Sequence, residues 1–226
     1  MTTQTGAVLS HAMNDDPMTA DSTTRFWDKA AAKYALSPIS DEASYQTKLS
    51  MTREIMNADM NVLEFGCGTG STALLHAPYV KTIDATDLSG NMIAIAQEKA
   101  EAAGVTNVSF SRSSIDDFDA PDASFDMVMG MSVLHLLENR RSAISKVFEF
   151  LKPGGTFVSS TVCLAEGYSI FKFLGPIGKA LGLLPILRVF SSDELVADLK
   201  AAGFQIERKW QPGKRKAVFI VARKPE

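Results

Sequence analysis

Residues 61–70 read NVLEFGCGTG, a short apolar strand that runs directly into three glycines spaced two residues apart. The sequence that follows, STALLHAP, predicts a helix, so the glycines lie in a loop between a strand and a helix N-terminus. Glycines at such a place let the backbone approach a ligand closely. The stretch therefore predicts a nucleotide-type ligand at the end of the first strand.

Downstream of this loop, strand patterns alternate with helix patterns. Predicted strands cover residues 80–87, 107–111, 125–131 and 156–162, with helices over 89–104 and about 138–151. Such alternation is typical of a parallel sheet with helices on both faces. A last helix over 191–204 precedes FQIERKW and KAVFIVA, two strands joined by a Pro-Gly turn. We therefore expect a parallel sheet with one reversed strand at its end.

The region before the first strand predicts a tail and two helices. Residues 1–22 are polar and without periodicity, which indicates a disordered tail, and they lack the features of a signal peptide. Helices are predicted over 23–36 and from about 41 to 57, with Asp41 as the N-cap of the second. Residues 23–226 are expected to form a single domain.

The bulk composition narrows the class of partner. Of 226 residues, 46% are hydrophobic and 22% are charged, with a net charge of −3, which is typical of a globular domain and argues against nucleic acid as the main partner. The two cysteines, Cys67 and Cys163, have no metal-ligand spacing, so we expect no metal and reduced thiols in a cytoplasmic protein.

The second predicted strand ends in Asp87, an acid suited to ribose hydroxyls, and this order of elements predicts an adenosine-containing cofactor. A dinucleotide usually requires GxGxxG, whereas the spacing here is GxGxG. Glu64, two residues before the first glycine, would repel a pyrophosphate and favour the ammonium and sulfonium of S-adenosylmethionine. Glu64 as a brace for the loop is one alternative. A nicotinamide-dependent oxidoreductase and a non-catalytic S-adenosylmethionine-binding protein are the alternative functions.

Several motifs resemble those of the class I S-adenosylmethionine-dependent methyltransferases. VLEFGCGTG resembles their first motif, ATDLSGNMIAIA the second, SFDMVMGMSVLHLLEN the fourth-strand motif, and LKPGGTFV the segment before strand five. FWDKAAAKY resembles the lid helix of small-molecule members, including ubiquinone/menaquinone-type enzymes. The resemblance covers residues 25–222. It implies an α/β, Rossmann-like fold with a seven-stranded sheet of order 3-2-1-4-5-7-6, strand seven antiparallel, and S-adenosyl-L-homocysteine as product. Residues 23–58 would then be lid helices.

The resemblance also implies which residues meet the cofactor. Asp87 occupies the ribose-binding place and Met92 lies beside the adenine. The family often has Gly-Asp after strand three, where this chain has Ser113-Ser114, so Ser114 and the Ile115 backbone are expected to contact the adenine. Tyr34 is expected to reach the methionine carboxylate, with aromatic core packing as its alternative. The predicted cofactor-binding set is Glu64, Gly66, Cys67, Gly68, Gly70, Asp87, Leu88, Met92, Ser114, Ile115, Met131 and Tyr34.

His135, just past strand four, is the candidate general base, because ligands bind at the carboxyl edge of such sheets. The alternative is a histidine that packs in the pocket wall without moving a proton. Residues 164–190 are apolar on one helical face and predict a substrate lid, with Phe173, Leu174 and Ile177 against a small, hydrophobic or lipid-like acceptor and in peripheral membrane contact. Packing on the core is the alternative.

The terminal hairpin is basic, with Lys209, Lys214, Arg215 and Lys216. These cations are expected to meet an anionic head group if the acceptor is amphipathic, or to be solvated if the hairpin is an ordinary charged turn.

Overall fold

A computed structural model of the chain describes residues 17–166 and 184–226. Its helices are α1 (Pro17–Leu36), α2 (Glu42–Arg53), α3 (Ser71–His76), α4 (Gly90–Ala103), α5 (Arg140–Phe150) and α6 (Ser192–Ala201). Its strands are β1 (Asn61–Phe65), β2 (Thr82–Asp87), β3 (Val108–Arg112), β4 (Phe125–Met131), β5 (Leu151–Thr161), β6 (Gln205–Trp210) and β7 (Val218–Arg223). Short 3₁₀ turns cover Ala77–Tyr79, Leu134–Leu136 and Leu164–Glu166.

The strands form one seven-stranded sheet of order β3-β2-β1-β4-β5-β7-β6, which confirms the predicted topology. Strands β1 to β5 pair in parallel, and β7 runs antiparallel to both β5 and β6. The strand order reverses between β1 and β4. In an open α/β sheet the crevice at such a switch point is the usual ligand site.

Helices and apolar side chains cover both faces of the sheet. One buried cluster joins β1, β4 and β5 to α5 and α6, and includes Phe65, Phe157 and Ile144. The other joins the opposite face to α4 and includes Ile83 and Met127. Because β1 is central and covered on both faces, every residue of it after Asn61 is buried, and Glu64 is buried with its neighbours.

Most predicted helix ends are confirmed by their caps. Asp41 accepts a hydrogen bond from the Ser44 N–H, and Ser89 accepts one from the Met92 N–H. Gly104 ends α4 in the left-handed conformation that favours glycine. Ser191 forms a reciprocal capping box with Glu194 at the start of α6.

Three boundaries differ by four residues or more from the sequence-based expectation. Helix α1 begins at Pro17, inside the predicted tail, since proline is well tolerated in a first helical turn. Helix α2 ends at Arg53, where tighter bonds from Ile55 N–H to the Thr52 carbonyl and from Met56 N–H to the Arg53 carbonyl replace the helical pattern. Strand β5 begins at Leu151, because this buried residue pairs with Phe125 before a register shift.

Two predicted regions lie largely outside the described residues, namely residues 1–16 of the tail and residues 167–183 of the lid. Within the part of the chain that is described, no helix has the length and apolar character needed to cross a bilayer.

Candidate functional site

Two adjoining pockets open at the carboxyl ends of β1, β2 and β4. We call them the β2-side pocket and the hairpin-side pocket. The β2-side pocket is lined by Asp87, Leu88, Met92, Ser113, Ser114, Ile115, Thr23, Trp27, Phe65, Val133, Leu136 and Leu137. The lining of the hairpin-side pocket includes Glu64, Cys67, Asp41, Tyr45, Lys48, Thr72, Ser160, Val162, Arg215 and Lys216. Tyr34, Gly66, Gly68, Met131 and Ser132 line both, so the two pockets are continuous.

The three glycines of the loop have different tasks. All have positive φ, which favours glycine. A Cβ on Gly66 would lie 2.5 Å from the Val133 side chain, and one on Gly70 would lie 2.8 Å from Ala96. Among the described residues, a Cβ on Gly68 would meet only the Tyr34 ring, at 3.8 Å. Packing therefore requires Gly66 and Gly70, whereas Gly68 has open space in front of its backbone within the described part of the chain.

Gly70, although predicted to bind cofactor, lines neither pocket; it is the N-cap of α3 and faces α4 and β3. It supports the loop from behind.

Asp87 braces the loop from the end of β2. Its carboxylate accepts the backbone N–H of Gly68 and that of Ser89, each at 2.9 Å. Burial nevertheless raises the pKa of Asp87, with the two N–H groups opposing the shift. Each oxygen retains acceptor capacity, so Asp87 can take further donors from a ligand in the β2-side pocket.

Glu64 is the most unusual residue of the site. The residue is 1% exposed, and its Oε2 has no hydrogen-bond partner among the described residues. Burial, and next the negative charge of Asp87, raise the pKa of Glu64 to about 8. An unpaired buried carboxyl calls for an explanation, and one that borders a pocket is suited to a ligand with cationic or donor groups.

Helix α1 covers the loop. Asp28 accepts hydrogen bonds from the Ser89 hydroxyl and the Asn91 N–H, which docks α1 on the start of α4. This contact holds Tyr34 over Gly68, with its ring edge-to-face against Trp27 at 6.3 Å. Desolvation, followed by the charges of Asp87 and Glu64, raises the pKa of Tyr34. Tyr34 therefore combines aromatic packing with a place in the lining of both pockets.

The segment after β3 has Ser113-Ser114 where the family often has Gly-Asp, and the structure shows what the Ser114 hydroxyl binds. The Ser114 hydroxyl donates to the Asp117 carboxylate at 2.7 Å and accepts the Asp117 N–H at 3.1 Å. The hydroxyl hydrogen of Ser114 is thus engaged in a local turn. Ser114 and the buried Ile115 both line the β2-side pocket, where they offer backbone groups and apolar surface.

His135 does not join the other predicted residues, since neither pocket has it in its described lining. It lies in the 3₁₀ turn after β4, where its carbonyl accepts the Arg188 N–H at 2.8 Å. Its Nδ1 is buried without a partner among the described residues, and burial lowers the pKa of His135 to about 4. The ring is therefore neutral at pH 7 and a weak proton acceptor.

Cys67 lines the hairpin-side pocket as a small buried filler. Burial, then the charges of Glu64 and Asp87, raise the pKa of its thiol well above the usual value, so it is no thiolate nucleophile. The predicted substrate residues Phe173, Leu174 and Ile177 lie outside the described residues.

Ser132 is a site residue that the sequence did not reveal. It has φ of +60°, which is uncommon for a residue other than glycine, and its N–H donates to the Ser160 carbonyl at 2.7 Å. This bond turns the chain at the end of β4, between the two pockets. Strained backbone of this kind is frequent at functional sites, but serine gives no sequence signal for it.

Comparisons with known proteins agree with this geometry. Residues 62–155 match the family model of a methyltransferase domain. The uncharacterized methyltransferase YcgJ of Bacillus subtilis is 34% identical over 101 residues, which are 45% of this chain and 40% of that protein. A malonyl-[acyl-carrier protein] O-methyltransferase of Paenibacillus is 30% identical over 151 residues, 63% of this chain and 54% of that protein. The chain thus spans about half the length of these curated relatives.

The fold likeness extends further than the sequence likeness. The crystal structure of YcgJ superposes with a TM-score of 0.67 at 22% identity, and the match covers 80% of this chain and 99% of that one.

Proposed function

We propose that this chain, which belongs to the class I S-adenosylmethionine-dependent methyltransferases, transfers a methyl group from S-adenosylmethionine to a small hydrophobic or amphipathic acceptor. The observation that carries the proposal is the buried, unpaired carboxyl of Glu64 beside the open face of Gly68. Such a carboxyl fits the cationic end of this cofactor. It does not fit the pyrophosphate of a dinucleotide, which carries negative charge.

The remaining residues divide between the two ends of the cofactor. Asp87 has acceptor capacity for the ribose hydroxyls. Leu88, Met92 and Ile115 give the β2-side pocket apolar surface for the adenine. Tyr34 covers the junction of the two pockets, where the sulfur-bearing part of the cofactor would cross Gly68.

When bound, S-adenosylmethionine supplies a methyl group activated by a sulfonium for direct displacement. The protein has to align the acceptor with the methyl group and exclude water. These two effects can account for most of the acceleration of methyl transfer. Helix α1, docked through Asp28, covers the site from one side. We assign no proton transfer to His135, because its pKa is about 4 and it lies outside the described pocket linings.

The acceptor would enter the hairpin-side pocket, which combines apolar residues such as Ile39 and Val162 with hydroxyls and cations. This mixture supports an amphipathic acceptor. The name of the Paenibacillus relative, a malonyl-[acyl-carrier protein] O-methyltransferase, is consistent with it. Membrane contact through residues 164–190 stays a prediction.

Calorimetric titration of the full chain tests the cofactor class. We expect S-adenosylmethionine and S-adenosylhomocysteine to bind and NAD⁺ not to bind, because only the first two place an ammonium near Glu64. Binding of NAD⁺, with no binding of S-adenosylmethionine or S-adenosylhomocysteine, would support the oxidoreductase alternative. Transfer of label from methyl-labelled cofactor to a panel of phenols, amines, thiols and lipids then separates the enzyme from a non-catalytic binder.

Asp87→Ala should weaken binding of S-adenosylhomocysteine tenfold or more, since each charge-assisted hydrogen bond to the ribose contributes about 1.5–3 kcal/mol. Asp84→Ala is the matched control: it removes a carboxyl from the same strand, and Asp84 lines neither pocket. Circular dichroism checks that both variants fold. Unchanged affinity in a folded Asp87→Ala protein would contradict the ribose assignment.

A further inference from the structure

We propose that Lys48 and Arg215, with Lys216 beside them, bind an anionic group of the methyl acceptor at the far end of the hairpin-side pocket. The inference rests on the proposed function and names a chemical class of acceptor: an amphipathic molecule that carries a carboxylate or phosphate away from the atom that is methylated.

Lys48 is the first part of the argument. It lies on α2, half-buried in the pocket lining, and its ammonium has no hydrogen bond or ion pair to any residue in the described ranges. Desolvation lowers the pKa of Lys48; the negative charge of Asp41 opposes this shift, and the nearby Lys216 adds to it. A partly buried cation that lines a cavity and has no hydrogen-bond partner among the described residues is suited to an anionic ligand.

The hairpin supplies the other cations. Arg215 lines the same pocket and has no ion pair with a described residue, so its guanidinium is available for a bidentate contact. Lys216 is held by the Asp41 carboxylate at 2.9 Å, which fixes the hairpin against the start of α2. The structure separates this group from Lys209, which donates to Ser192 and Asp193 at α6.

The acids of the pocket do not cancel these charges. Asp41 is already engaged by Lys216 and by the Ser44 hydroxyl and N–H. Glu64, with its pKa near 8, is mainly protonated at neutral pH in the free protein, and in the complex its negative charge would face the ammonium of the bound cofactor. The hairpin end of the pocket is therefore positive in a chain whose net charge is −3.

The cations lie far from the glycine loop, so the anion that they bind would belong to the acceptor and not to the cofactor. The glycine loop follows β1, whereas Arg215 and Lys216 immediately precede β7, and β4 and β5 lie between these strands. Three steps between neighbouring strands amount to about 14 Å. Ser160 and Val162, at the end of β5, line the space between. The cations thus lie on the side of the pocket remote from the loop, where a second molecule would extend.

The test uses the full chain saturated with S-adenosylhomocysteine, so that the cofactor's own carboxylate site is filled. Octanoate and octanol are titrated as matched probes that differ in charge. We expect octanoate to bind about tenfold more tightly, the difference that one charge-assisted contact supplies. Lys48→Gln and Arg215→Gln should each reduce that preference and together remove it. Lys214→Gln, which removes a charge from the same hairpin outside the pocket lining, should leave it intact.

Equal binding of the two probes, no binding of octanoate, or a preference that survives in the double variant would overturn the inference. A fall in affinity for S-adenosylhomocysteine in Lys48→Gln and Arg215→Gln would also overturn it, by placing the cofactor's carboxylate on these cations. The first titration is separate: failure of the wild-type chain to bind S-adenosylhomocysteine would refute the proposed function and this inference with it.

Discussion

Gly68→Val should abolish binding of S-adenosylhomocysteine while leaving the protein folded. Gly68 is the loop glycine whose missing side chain leaves open space: of the described residues, only Tyr34 has atoms within 4 Å of a Cβ placed there. A branched side chain would occupy the junction of the two pockets, where the ligand must approach the backbone. We expect a loss beyond a hundredfold, or about 3 kcal/mol, measured by calorimetry.

The control for Gly68→Val is Gly104→Val. Both glycines have positive φ, +55° and +64°, so both variants carry a similar backbone strain. Gly104 has no atom of the described residues within 4 Å of a placed Cβ, and it caps α4 outside the pocket linings. It should lose thermal stability to a similar extent and retain affinity. Normal binding by a folded Gly68→Val protein would mean that the cofactor lies elsewhere.

The affinity for S-adenosylmethionine should rise steeply with pH up to about 8. Glu64 has its pKa raised to about 8 in the free protein, so at pH 6 and 7 it is mostly protonated. A cationic ligand favours the ionised carboxylate and must displace this proton. Affinity should therefore fall by up to tenfold for each pH unit below 8 and level off above it. Calorimetry at pH 7 in buffers of different ionisation enthalpy should detect close to one released proton.

Glu64→Gln separates this effect from titration of the ligand itself. Glutamine keeps the size and cannot ionise, so the variant should bind more weakly at pH 8 and should lose the proton release. Any titration of the cofactor's own amine persists in both proteins and cancels in the comparison. If wild type and variant have the same pH profile, Glu64 does not face the cationic end of the cofactor, and its role is confined to bracing the loop.

Local patterns were enough to predict most of the architecture. The NVLEF strand, the glycine loop, Ser89 and Gly104 as the ends of α4, and the Pro-Gly hairpin are all decided by residues close in sequence. The reason is physical: strand alternation, helix caps and turn glycines depend on backbone preferences and neighbouring side chains. The family resemblance supplied the strand order, which the sheet confirms.

The tertiary structure decided which site residues contact one another and which have no partner. Glu64 is visible in the sequence, but its lack of a partner follows from the packing of β2 and β4 on either side of β1. The distinct tasks of Gly66 and Gly68 depend on Val133, far along the chain.

The tertiary structure also decided which residues line the two pockets. His135 was predicted from its place after β4, yet the 3₁₀ turn keeps it out of the described pocket linings. Lys48 and Arg215 are remote in sequence and share a pocket because α2 packs near the terminal hairpin through Asp41 and Lys216. Sequence alone determined a cofactor loop on a seven-stranded sheet. The charge of the space around that loop depends on burial and on long-range contacts, which only the folded chain creates.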